Sequence, residues 1–131
     1  MITNSIKEKL LPLFSRYKSN VLFAYLFGSV AQDNMSPLSD VDLAVFLSRQ
    51  NEKSYFDIKC SLYADFCRVL KRNDIDVVVL NTTTNIVLLD EIIRGGIVLV
   101  DRDIDLREEF EQKILHQAVD FKEQRIVFLG V

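Results

Sequence analysis

Leu26-Phe27-Gly28-Ser29 closes a hydrophobic run, and after ten intervening residues the chain reads Asp40-Val41-Asp42. Residues i and i+2 of a strand point to one face, so Asp40 and Asp42 are expected side by side. Two carboxylates held that close repel unless a cation neutralises them, and hard divalent ions such as Mg²⁺ prefer oxygen ligands. Gly28 has no Cβ to keep backbone away from a ligand. The amides that follow it, with the Ser29 hydroxyl, could donate to a phosphate at a helix start. A phosphate cradle beside a metal site is the equipment of phosphoryl or nucleotidyl transfer.

Those residues need strands to hold them. Val21 to Phe27 is an apolar run of strand length, and Val41 to Leu47 is a second with apolar residues on both faces. Such strands belong in a sheet covered on both sides. Ser29 is expected to cap a short helix through Ala31, and Gln32 to Ser39 has turn composition. Ile75 to Leu80 reads as a third strand, headed by Asp74 and Asp76, and Ile97 to Val100 as a short fourth. Helices are expected at Asn4–Lys18, interrupted by Pro12, at Tyr55–Lys71, at Ile86–Arg94 before Gly95-Gly96, and at Asp105–Phe128. In the second of these, Phe56, Leu62, Tyr63, Phe66 and Leu70 are the expected core. The order α-β-α-β-α-β-α-β-α predicts a single α/β (α+β) domain over residues 1–131 with a small mixed sheet.

The last helix carries two apolar stripes. Leu106, Phe110, Ile114, Phe121 and Phe128 form one; Leu115, Val119 and Ile126 lie nearly opposite. The first stripe can cover the core. The second predicts a partner protein, with self-association as the alternative.

Composition sets limits. A chain of 131 residues that is 49% hydrophobic and 27% charged is globular. Its net charge of -3 argues against direct nucleic-acid binding, which leaves a basic footprint. No stretch is apolar enough to span a membrane, and the N-terminus lacks signal-peptide anatomy. Cys60 and Cys67, seven apart on a helix, are out of disulfide reach and are expected as buried thiols of a reducing cytoplasm. A lone histidine, His116, makes no metal site, and Arg94 is explained as a cation at a helix end.

Gly28-Ser29 with Asp40-Val41-Asp42 ten residues on resembles the signature of the DNA polymerase beta-like nucleotidyltransferase superfamily. The short chain is similar to its minimal nucleotidyltransferases, the MNT proteins paired with HEPN-domain toxins. The segments Asp74-Ile75-Asp76-Val77-Val78-Val79 and Ile93 to Leu99 look like the family's third strand and following helix-turn-strand. The resemblance implies a polymerase beta palm-like fold, with Gly28 and Ser29 holding phosphate and Asp40 and Asp42 holding metal. Asp76 matches the third carboxylate, which helps hold metal or activates the attacking hydroxyl. Asp74 has the same strand parity and is the rival; Asp76 is preferred because three valines follow it.

The resemblance further implies ATP as substrate, two Mg²⁺ ions, and AMP transfer to a hydroxyl of a HEPN toxin in a type VII-like toxin–antitoxin pair. Many relatives carry Arg and Gly shortly after the Gly-Ser pair, where this chain has Gln32 and Asp33. That departure weakens the basic character of the phosphate loop. A binding-only antitoxin and a small-molecule nucleotidyltransferase of the aminoglycoside-modifying kind are the alternative functions.

Overall fold

The computed structural model of the chain describes residues 2–29, 31, 40–49 and 52–128, with side chains for all of these except 2, 3, 52, 53 and 125–128. Four helices and four strands follow in the order α1 (Ile2–Arg16), β1 (Val21–Phe27), β2 (Val41–Leu47), α2 (Glu52–Leu70), β3 (Ile75–Val79), α3 (Ile86–Gly95), β4 (Ile97–Asp101) and α4 (Ile104–Phe128). The strands form one mixed sheet in the order β3-β2-β1-β4. β1 runs antiparallel to β2 and β4, whereas β2 and β3 are parallel and are joined by the α2 crossover.

Both faces of the sheet are covered, as the apolar composition of β1 and β2 requires. Leu43, Val45, Val77 and Val79 point to one face, where Leu10, Phe14, Leu62 and Phe66 of α1 and α2 complete a core. Phe23, Tyr25, Phe27 and Ala44 point to the other, beneath Leu89 and Ile92 of α3 and Ile114 of α4. Pro12 lies inside a continuous α1. Lys71, at φ 56°, takes the left-handed conformation just after α2. α3 starts at Asn85, whose side chain accepts from the Leu88 N–H, and stops at Gly96, whose N–H donates to Ile92 O at 2.8 Å.

Three expectations from the sequence change. The helix expected after Ser29 is a turn at Gly28, Ser29 and Ala31; the loop from Gln32 to Ser39 falls outside the described residues. Phe56 is not core but 64% exposed, because at 3.6 residues per turn it lies roughly 80° from Phe66 and 120° from Leu62, at the rim of the packed face of α2. Cys60 is exposed and Cys67 half-buried, both as free thiols, so the expected burial does not hold for Cys60.

Beyond β3, Asn81 extends the sheet with its side chain. Its Oδ1 accepts from the Leu47 N–H at 2.8 Å and its Nδ2 donates to Leu47 O at 2.9 Å. Leu47 is buried, so truncation would leave two backbone groups without these partners. Asn81→Ala should therefore cost about 1–3 kcal/mol in urea unfolding. A loss below about 0.5 kcal/mol would mean that water replaces the amide at both positions.

Candidate active site

The strand register assembles the site. Phe27, the last residue of β1, pairs with Asp42, and Asp42 pairs with Asp76 across the parallel ladder. One row across the sheet thus runs from the Gly28 turn through Asp42 to Asp76. Adjacent strands lie about 4.8 Å apart, so each step of that row is short. Asp42 and Asp76 share the face of Phe27 and Ala44, the one roofed by α3 and α4. Asp40 stands exposed immediately before β2.

Gly28 is more than a permissive turn residue. Its φ is +77°, a conformation that L side chains rarely adopt. A Cβ at this position would collide with Asp42 Oδ2 and lie 3.2 Å from Asp42 Cγ. The backbone of the Gly-Ser turn and the Asp42 carboxylate are therefore in contact, which puts a candidate phosphate-binding turn directly against a candidate metal ligand. Ser29 follows in the same turn, half-exposed.

The electrostatics converge on Asp42. Partial burial, the Asp76 carboxylate, then Asp40 and Glu91 push its carboxyl up to about 6 from an ordinary 3.8. Glu91, on α3, is the residue that sequence reasoning missed. It has no motif, and only the packing of α3 over this face brings it within electrostatic reach of Asp42. Among the described residues no group of three or more His, Cys, Asp or Glu side chains stands close enough together to hold a metal ion. Asp40 and Asp76 are exposed and repel Asp42, so the three carboxylates share a neighbourhood rather than a coordination shell.

Asp74, the rival third carboxylate, is engaged elsewhere. Arg72 binds it through both Nε and Nη2, and that guanidinium holds its carboxyl below the usual range. Its backbone oxygen accepts from the Val41 N–H at 3.0 Å. Arg94 pairs with Asp90 at 2.7 Å, as a helix-surface ion pair one turn away. His116 is exposed. On the second stripe of α4, Val119 is 46% exposed and Leu115 half-buried, whereas the side chain of Ile126 lies outside the described residues. Among the described residues no helix is long and apolar enough to cross a membrane.

Known proteins share this fold. The family model described as Polymerase beta, Nucleotidyltransferase matches residues 8–105. No curated protein matches the chain in a sequence search. Among solved structures, a chain of a toxin–antitoxin complex with AMP-PNP is similar at a TM-score of 0.72 and 22% identity, covering 95% of both chains. A chain of the tri-AMPylated Shewanella oneidensis HEPN toxin in complex with MNT antitoxin has a TM-score of 0.72 at 20% identity, covering 98% of this chain and 96% of that one. The MntA-HepT toxin–antitoxin structure gives 0.70 at 20% identity over 97% and 96%. At such identities these likenesses speak to the fold. The family match runs from α1 through β4 and takes in the whole Gly28–Asp42–Asp76 row, and the chain belongs to the polymerase beta nucleotidyltransferase family.

Proposed function

We propose that this protein is a cytoplasmic protein adenylyltransferase that moves AMP from ATP to a hydroxyl of a HEPN-domain toxin and thereby acts as its antitoxin. The observation that carries the reading is the contact between the Gly28 turn and the Asp42 carboxylate, in register with Asp76. Similar folds occur in a toxin–antitoxin complex with AMP-PNP and in one containing a tri-AMPylated HEPN toxin with MNT antitoxin. An MntA-HpeT variant with two Asp→Glu changes has them two positions apart, the spacing of Asp40 and Asp42.

The residues suit a hard divalent cation in kind: two carboxylates in the row, Asp40 just before β2 and no soft ligand among them, with surplus negative charge that raises the Asp42 pKa. Asp40, Asp42 and Asp76 are the residues we assign to Mg²⁺, which when bound supplies neutralisation of the triphosphate charge. Gly28 and Ser29 offer backbone amides and a hydroxyl to the departing phosphates. We assign Asp76 to orienting the acceptor hydroxyl. The acceptor oxygen forms a bond to the α-phosphorus while the bond from that phosphorus to the bridging oxygen breaks. Pyrophosphate leaves with the electron pair, and the hydroxyl proton passes to Asp76 or to solvent. Leu115, Val119 and Ile126 on α4 are assigned to partner contact, supported by the exposure of Val119.

Intact mass spectrometry tests the proposal. The protein is incubated with ATP and Mg²⁺, with and without the HEPN-domain protein from the same source. One or more AMP units should appear on the partner only when both proteins are present. A tight complex with no added mass would make the protein a binding antitoxin and sink the transfer reading.

A further inference from the structure

β3 is an outer strand of the sheet, and its free side opens into a groove of about 500 Å³ that begins at Asp76. Tyr55, Phe56 and Lys59 of α2 line it from one side, and Thr82 and Leu88 from the other. The exposed Phe56 is therefore a groove residue rather than an accident of packing.

Three observations say what belongs there. First, in-line displacement at phosphorus puts the attacking oxygen opposite the leaving group. The row across the sheet starts at the Gly28 turn, on the leaving-phosphate side, passes Asp42 and ends at Asp76. Continued one step further, it enters this groove. The adenosine, which hangs off the α-phosphorus to the side of that axis, does not lie along it.

Second, the strand backbone is presented to the groove. The Val41 N–H donates to Asp74 O and the Leu80 N–H to Val45 O, so the even-numbered residues of β3 bond to β2. By the alternation of the ladder, the Val77 N–H and C=O face outward. Val79 O, on the same side, is taken by the chain itself, accepting from Thr83 Oγ1 at 2.9 Å and from the Thr82 N–H at 3.3 Å, which leaves the edge at Val77 for an added segment. An outward-facing strand edge is a template for an added extended segment.

Third, the groove lining carries charge of both signs: Asp76, and Lys59, the one cation among the described residues that line it. From Asp76 to Val79 is about 10 Å at strand spacing, the reach of three or four extended residues.

Resting on the adenylyltransferase reading above, we infer that this groove seats an extended segment of the protein acceptor. The segment adds to the β3 edge with its hydroxyl at Asp76, an apolar side chain on Phe56 and Tyr55, and an acidic residue near Lys59. Small acceptors would leave most of the groove empty, so the site selects polypeptide.

Phe56→Glu and Lys59→Glu alter exposed positions, so the fold should survive in both. Each should raise KM for the HEPN-domain acceptor at least tenfold, while KM for ATP and kcat at saturating acceptor stay within twofold. Lys59→Arg should behave as wild type. A benzoylphenylalanine at position 56 should crosslink to the acceptor peptide that contains the modified hydroxyl. An unchanged acceptor KM in both charge variants would overturn the inference. A rise in KM for ATP, or a crosslink to nucleotide, would instead put adenosine in the groove and overturn it equally. If wild-type protein adds no AMP to the partner, the transfer reading fails first. The crosslink then decides separately whether the groove holds a segment of the partner.

Discussion

Asp42→Asn should lower AMP transfer by about 10³-fold or more while leaving the fold intact. The change is nearly isosteric, so backbone pairing to Phe27 and Asp76 persists and only the charge is lost. Loss of that charge should also reveal itself in stability. In wild type the Asp42 carboxyl is held at about 6 in the folded chain, against 3.8 as its ordinary value, first by burial and then by Asp76, Asp40 and Glu91. Between those two values the folded chain binds a proton that the unfolded chain does not. The contribution of Asp42 to stability is therefore fully present below pH 3.8 and is lost as pH rises through about 6.

Two consequences can be measured together. Without divalent ions at pH 8, Asp42→Asn should melt at the wild-type temperature or above it, and the difference should shrink by pH 5 as wild type takes up its proton. With Mg²⁺ at pH 8, wild type should gain stability by ligand linkage and the variant should not. Acidification should weaken the Mg²⁺ effect on wild type, since protons and metal compete for one carboxylate. A variant that melts well below wild type at pH 8 would show that the Asp42 charge supports the fold rather than strains it. Wild-type transfer rates in Asp42→Asn would remove the carboxylate from the mechanism.

Much of the site was legible because strand parity is a strict code. Asp42 and Asp76 sit on adjacent strands, and a two-residue period leaves little freedom in where their side chains point. The spacing from Gly28 to Asp42 also survives folding as a direct neighbour relation. Helical periodicity carries less information. It marks a stripe but not whether anything covers it, so Phe56 read as core although its turn of α2 stands beside the uncovered edge of β3. A cysteine out of disulfide reach is expected as a buried thiol, but residue type says nothing of which side of α2 is covered, and Cys60 is exposed. Glu91 could not be found at all, because its proximity to Asp42 arises from the tertiary placement of α3. Asp74 and Asp76 are alike by parity, and what separates them is Arg72, two residues away, whose side chain folds back onto Asp74.

Gly28→Ala should be nearly as damaging to transfer as loss of a carboxylate, by about 10²-fold or more, through two separable penalties. One is conformational: φ of +77° costs an L residue roughly 1–2 kcal/mol. The other is steric, because the new Cβ would occupy the space of Asp42 Oδ2. The carboxylate is the softer of the two partners and would swing aside, moving a metal ligand away from the phosphate turn. A double-mutant cycle with Asp42→Ala distinguishes the penalties. In the Asp42→Ala background the collision is gone, so Gly28→Ala should cost only the conformational share. In wild type it should cost measurably more, with the difference reporting the contact between the turn and Asp42. Equal costs in both backgrounds would mean that Gly28 is required for its backbone angle alone. The turn would then position phosphate without setting the carboxylate, and the tight coupling between the two halves of the site would have to be abandoned.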